Sequence, residues 1–535
     1  MPEKEIHAPQ ALGGAAHAQV DDALALCLPK WQAFWPYCAL LNAAYCASSE
    51  VNQWALVALG IRQGVRVNAR GKQHYNDLQQ VWEPCAQPIW ALLERLRQRC
   101  VLANLLSEWT EEPFAGSPVR GGLMLYLGYE AARFMDNAFA PKAEMLHGSV
   151  TSASQLPASL QSDERALPDL LCFEPEAWLV IHKPSGDFRV ICASAATSET
   201  ISQQWQAAFL ACLKGPTQSG FVPKSEDCKE TGETQETASL SPEAFAAGVE
   251  TLKAAIERGE TYQANLSMRF ERVLTMPEAQ SMANVFHALC AQNPSPFSAF
   301  LQTPEAWLVC NSPERLVACT ASGQLESRPI AGTRGRAGAE TSDEQIGALL
   351  RENPKERAEH LMLVDLVRND LGRVSLAGSV RVSQLMTLER YSHVTHLVSH
   401  VLGDKLPEAS PWAVIRALFP AATITGCPKI RTVQLLDAVE PAPRGFYTGS
   451  LGYVCAQTGA LDLNILIRSL LLTPVPNAST NQAFKRYRAQ YHAGAGIVAD
   501  SDAQHEYREC LRKLAAIHRL FDLIAVSEPE PAPRT

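Results

Sequence analysis

No apolar run in this chain is long enough to span a bilayer: the most apolar patches, 361–367 and 465–472, are short or interrupted. No stretch concentrates lysine and arginine, and the formal net charge is -9, so a phosphate-binding nucleic-acid surface is not expected. The first twenty residues lack a basic segment followed by an apolar core, which gives no secretory leader and points to a cytoplasmic protein. The fifteen cysteines are odd in number and form no close CxxC pair, which favours reduced core thiols over a disulfide scaffold or a zinc site. A GxxxxGK[ST] loop is also missing, which removes the P-loop nucleotide enzymes.

What the chain does have is core material: 47% of its 535 residues are hydrophobic and 19% charged. That length predicts two to four domains or one large two-lobed body. One composition break stands out at 215–240, polar and rich in Gly, Pro, Ser and Thr, and it reads as a flexible linker. It separates an N-terminal part, 1–214, from a longer part, 241–527, which is followed by a short tail, 528–535. Ser241-Pro242-Glu243 after the break has the form of a helix cap and first turn. Helices are expected at 88–106, 244–258, 354–367, 428–439 and 502–521, with 486–491 also read as helical. Strands are expected at 122–127 and 177–182, and around TYQANLSMRFERV, EAWLVCNSPERLVAC, GFYTGSLGYVCAQ and ALDLNILIRSLLL. The class this implies is a mixed α and β body in which sheets hold a cleft and helices contribute ligands.

Two matched pairs of glutamates carry the most information. Glu356/Glu359 in KERAEHLMLVDLVRNDLGR and Glu506/Glu509 in DSDAQHEYRECLRK each lie three residues apart, which puts both carboxylates of a pair on one helix face. Such faces are either solvated surface or, brought together, an all-oxygen site of the kind magnesium takes. Thr425-Gly426-Cys427-Pro428-Lys429 is either a helix start signal or an anion site completed by Lys429. His492-Ala493-Gly494-Ala495-Gly496 is either a tight turn or a backbone grip for a carboxylate. Arg468, read at the end of the strand ILIRS, can clamp a carboxylate in two-point fashion, and Tyr453 can add a hydroxyl. Glu314 in the turn SPER is either a partly desolvated proton donor or a cap. His393 and His396 lack the partners for zinc, and one of them either orients a reacting group or is structural. A divalent-metal site beside several anion receivers calls for a small polyanionic substrate.

From 241 to about 527, the motifs RPIAGT, EHLMLVDLVRNDLGR, GSVRV, ERYSHVTH, ITGCPK, GSLGYV and GAGIVADS occur in order. Together they resemble the magnesium-dependent chorismate-utilising enzymes, the anthranilate synthase component I family. The N-terminal GGLMLYLGYEAARFMD and LPDLLCF resemble the amino-transferring members, so the likeness extends over most of the chain. It implies an α+β chorismate-binding fold, a two-lobed β-sheet sandwich with surrounding helices and a central cleft. It also implies that Glu359 and Glu509 bind Mg2+ most directly, with Glu356 and Glu506 beside the metal and the substrate's C1 carboxylate. Tyr453, Arg468, Gly494, Gly496 and Lys513 would receive the substrate carboxylates, with Thr425 beside the ring, Glu314 as general acid and His396 as the catalytic-site histidine.

Gln263 stands where members that attack with water carry lysine, so the resemblance points to the ammonia-using branches. Gln263-Ala264-Asn265-Leu266, FSAFL at 297–301 and TITG at 423–426 resemble aminodeoxychorismate synthase component I, the large subunit of 4-aminobenzoate synthesis. That implies amination of chorismate at C4 to 4-amino-4-deoxychorismate, on the route to folate. The alternative is an anthranilate synthase component I, supported by ERYSHVTH and by Ala331, which stands where the best-described C4-aminating members have a lysine nucleophile. A non-catalytic chorismate-binding protein is a third. No segment resembles a glutaminase, so ammonia is expected from a separate glutamine amidotransferase subunit, and neither nucleic acid nor membrane is an expected partner.

Overall fold

The computed structural model describes, short gaps aside, residues 20–42, 53–103, 121–139, 166–192, 236–335, 354–390, 394–476 and 484–525. The expected boundary at 214 and most of the expected linker lie outside these residues.

Two large antiparallel sheets organise them, of eleven and twelve strands among the described residues. Strands from both ends of the chain build each sheet. In the first, Cys38–Asn42 pairs with Phe297–Gln302, setting Leu40 opposite Phe300. In the second, Gly122–Leu127 pairs with Ser450–Cys455, setting Tyr126 opposite Leu451. The segments before 215 and after 240 therefore share their backbone hydrogen bonding.

Alternation along the strands explains how the sheets stack. In Trp54–Leu59, Ala55, Val57 and Leu59 face a cluster that contains Phe245, Leu252, Phe286 and Phe521 from helices on the outer side. Leu56 and Ala58 turn inward and pack with Met124 and Tyr126 of the other sheet. In Gly122–Leu127, Leu123, Leu125 and Leu127 face outward onto Leu93, Leu96, Val367 and Trp412. Successive side chains point to opposite faces, and both faces are covered, so these strands read in sequence as nearly unbroken apolar runs. The result is the expected α+β fold: two sheets face to face, with helices on both outer surfaces. Among the described helices none is long and apolar enough to cross a membrane.

Local sequence signals set several element ends. The helix Pro242–Glu257 starts where Ser241 accepts a hydrogen bond from the Ala244 N–H at 3.2 Å, a cap contributing about 1 kcal/mol. The strands expected at 122–127 and 177–182 appear with those limits. Three expectations are corrected. Residues 486–491 belong to a strand, Phe484–Ile497, in which Tyr487, Ala489 and Tyr491 are buried between less buried neighbours, a period of two. The helix expected over 502–521 is two, Ala503–Lys513 and Ala515–Ile524, because a break at buried Leu514 lets the second bury Ile517, Leu520, Phe521 and Ile524. ALDLNILIRSLLL forms two strands, Leu461–Asn464 and Ser469–Pro474, so Arg468 lies on the connection rather than on a strand.

Candidate active site

The chain passes from one sheet to the other at two neighbouring places. It leaves the strand Trp307–Ser312 of the first sheet and enters Arg315–Cys319 of the second through Pro313 and Glu314. It returns from Leu461–Asn464 of the second to Ser469–Pro474 of the first through 465–468. The crossings are bonded to each other: the Ile465 N–H donates to the Glu314 carbonyl at 3.0 Å, and the Asn311 N–H donates to the Arg468 carbonyl at 3.2 Å. Arg468 holds a left-handed backbone, φ 50°. Glu314 and Arg468 thus meet at the junction of the two sheets.

Glu314 is 5% exposed. Its backbone N–H donates to Ser312 Oγ at 3.1 Å, and its Oε1 accepts from Thr423 Oγ1 at 2.8 Å. Burial pushes its carboxyl up to about 7, against the opposing pull of the Thr423 hydroxyl and the Arg468 charge. Near neutral pH this group holds or releases a proton readily, as a general acid requires. Arg315, the next residue, anchors the turn. It grips Asp462 with two bonds of 2.9 and 2.7 Å and reaches Glu326 at 3.0 Å.

A second group of residues lies where Gln263–Pro277 pairs with Phe484–Ile497, with Asn265 opposite Gly496 and Ser267 opposite Gly494. Both glycines make room for side chains of the partner strand. A Cβ on Gly494 would sit 2.4 Å from Asn265 Oδ1 and 3.1 Å from the Tyr447 hydroxyl, and one on Gly496 would sit 2.6 Å from Gln263 Nε2. The segment 492–496 is the end of a strand rather than a tight turn. Gln263 donates to Glu359 Oε1 at 3.3 Å, joining this strand pair to the helix Pro354–Gly372. Lys513, from the helix Ala503–Lys513, donates to the Gly494 carbonyl at 2.7 Å. Buried Thr425 accepts the Asn265 N–H on its carbonyl at 2.9 Å, so the short loop 423–425 touches both Glu314 and this strand pair.

His396 is buried on the strand Val394–Asp404, opposite Thr333 on one side and Glu389 on the other. The helix carrying Glu359 docks on that strand through His360 Nε2, 2.6 Å from Ser399 Oγ. His393 lies outside the described residues.

The glutamate pairs do occupy helices. Glu359 is partly exposed and bonded to Gln263, while Glu506 is buried in the first turn of its helix and accepts from Ser501 Oγ at 3.0 Å. Glu509 meets Arg512 at 2.6 Å and Lys513 at 3.9 Å. The Glu356 side chain lies outside the described residues. In donor chemistry these carboxylates suit a hard divalent cation. Among the described residues, no three acidic, histidine or cysteine side chains converge on one point.

One placement differs from the anion reading of 425–429 and agrees with its helix-start reading, the helix being Lys429–Val439. Lys429 is not held out for an anion: it pairs with Asp370 at 2.8 Å and donates to the carbonyls of Ala417 and Leu418 at 3.3 and 3.1 Å, which uses its three N–H groups. Tyr453 is buried opposite Asp462, and burial first, then the Asp462 charge, pushes its phenol well above the ordinary range. The phenol beside Gly494 belongs to Tyr447, which stacks on His492 with centroids 5.0 Å apart and feels the Glu314 charge. Sequence reading missed Tyr447, although it lies in a turn with a non-glycine residue of positive φ, Thr448 at 60°, and a glycine whose Cβ would strike the Leu127 carbonyl at 2.1 Å, Gly449.

Comparison with known proteins adds family and fold. Residues 44–519 match the family described as chorismate binding enzyme. Aminodeoxychorismate synthase component 1 of Bacillus subtilis (strain 168) is 37% identical over 410 residues, covering 76% of this chain and 77% of that protein. Anthranilate synthase component 1 of Thermus thermophilus is 33% identical over 407 residues, covering 76% and 78%. The crystal structure of anthranilate synthase component I from Streptococcus pneumoniae TIGR4 superposes with a TM-score of 0.64 at 28% identity, covering 88% of this chain and 93% of that one.

Proposed function

This chain belongs to the chorismate binding enzymes, and from that premise we propose that it aminates chorismate with ammonia in a magnesium-dependent reaction, nitrogen entering at C4 to give 4-amino-4-deoxychorismate. The observation that carries the amination chemistry is Glu314, a buried carboxyl raised to about 7 at the sheet junction, beside Thr423 and within the field of Arg468. It hands its proton to the C4 oxygen, which leaves as water while the C–N bond forms. Tyr453, Arg468, Gly494, Gly496 and Lys513, with Tyr447 beside Gly494, would receive the carboxylates of an acidic substrate, and Gln263 is a neutral amide that cannot act as the base for attacking water. Bound by Glu359 and Glu509, with Glu356 and Glu506 adjacent, magnesium would draw electron density through the C1 carboxylate. Ammonia is supplied in this reading by a separate glutamine amidotransferase subunit in the cytoplasm.

The position of nitrogen has two readings. Residues 263–266, 297–301 and 423–426 and the Bacillus subtilis relative favour C4. Amination at C2 with loss of pyruvate, giving anthranilate, is favoured by Ala331, which offers no amine to attack the ring, and by the larger number of anthranilate synthases among the relatives. Taken alone, the relatives back this second reading better. Mass spectrometry of the product formed from chorismate, magnesium and an ammonium salt separates them. A product that keeps the enolpyruvyl group supports C4, whereas anthranilate with free pyruvate overturns it.

A further inference from the structure

Resting on the reading of this site as an amination centre, we infer that Arg444 is the positioning residue that holds its two halves in register, and that Glu130 from the N-terminal part of the chain completes the hub. Arg444 is 2% exposed and spends all five guanidinium N–H groups on hydrogen bonds. Nε and Nη2 take the two oxygens of Glu440 at 2.8 and 2.7 Å. Nη2 also donates to the carbonyl of Asn265 at 2.5 Å, and Nη1 donates to the carbonyl of Ile424 at 3.1 Å and to Thr448 Oγ1 at 3.3 Å.

These acceptors are the connections the site depends on. Asn265 lies on the strand that faces Gly494 and Gly496, Ile424 lies between Thr423 and Thr425, and Thr448 follows Tyr447. Glu440 extends the clamp to the same strand by accepting the Ser267 N–H at 2.8 Å and its hydroxyl at 3.0 Å. Glu130 fixes the hub from outside, its two oxygens accepting the backbone N–H groups of Arg444 at 3.0 Å and Gly445 at 3.1 Å. The ring of the neighbouring Tyr129 lies 4.7 Å from the guanidinium carbon. One side chain therefore ties the Thr423 partner of Glu314 to the strand bearing Gln263, and a residue more than three hundred positions earlier sets its place. Lysine has three donors in place of five and no planar fork, so it cannot reproduce the set.

The test follows chorismate consumption by the full chain as Arg444→Lys, Glu440→Gln, Ser267→Ala and Glu130→Gln. Arg444→Lys is expected to lower kcat at least about tenfold, the equivalent of losing one or two hydrogen bonds to a charged group. It is also expected to move the alkaline limb of the pH profile upward, because a loosened Thr423 no longer favours ionised Glu314. A merely structural role lowers thermal stability and leaves that limb in place. If Arg444→Lys does not fold, Ser267→Ala keeps the guanidinium and is expected to shift the limb in the same direction with a loss of about two- to fivefold. Folded variants with unchanged kcat, KM and limb overturn the inference. A wild-type chain that consumes no chorismate overturns the amination reading and this inference with it.

Discussion

Glu314 and the helix glutamates carry the same carboxylate in opposite surroundings. Glu314 is sealed at the junction of two sheets, where burial raises it to about 7, the range that the proposed proton-donor role needs. Glu359 and Glu509 stand partly exposed on helices, next to an amide and to basic side chains, and in the proposed reading they would supply oxygen donors to magnesium. Residue type alone does not separate the two proposed roles; the degree of solvation does.

The sharpest way to break this contrast is Glu314→Gln. Removing the proton donor is expected to cut kcat by about a hundredfold to ten thousandfold while the magnesium dependence stays the same. Glu359→Gln is expected to do the reverse, raising the magnesium concentration for half-maximal rate by about ten- to a hundredfold with a smaller effect at saturating metal. Equal magnesium responses in the two variants would remove the distinction. A smaller effect sharpens the geometry around Glu314: Tyr447→Phe is expected to raise the chorismate KM about tenfold, the loss of one hydrogen bond to a charged group.

The last difference is one of stability. A carboxyl raised on folding stabilises the folded chain fully below about 4.5, and that contribution is lost as pH rises through about 7. Over that window the wild type should lose up to about 3 kcal/mol that Glu314→Gln does not, measured as the difference between their denaturant midpoints at pH 4.5 and 8. Parallel curves would mean that Glu314 is not buried as described.

Much of this contrast was legible in the sequence because it rests on local signals. The three-residue spacing placed the glutamates on helices, the Ser241 cap marked a helix start, and the motif order implied the sheet sandwich. Periodicity reports which face of an element is buried, but not what it meets. Residues 486–491 alternate polar and apolar side chains in a way that suits a strand, yet the short segment also suits a helix. Lys429 looked available because Asp370, its partner, is distant in sequence. Tyr447 escaped notice because the turn that brings its phenol beside Gly494 joins residues distant in sequence. The Arg444 hub was invisible for a similar reason: two of its acceptors are the backbone carbonyls of Ile424 and Asn265, which have no sequence signature, and Asn265 is distant in sequence.

The central claim is that buried Glu314 protonates the leaving hydroxyl of chorismate during amination. It is tested most directly by following chorismate loss with and without magnesium and ammonium, in wild type and Glu314→Gln, across pH at a fixed concentration of unprotonated ammonia. The account predicts consumption that needs both additions, falls as pH rises past about 7, and nearly vanishes in the variant. Turnover in Glu314→Gln at the wild-type rate, with the same pH profile, would contradict it.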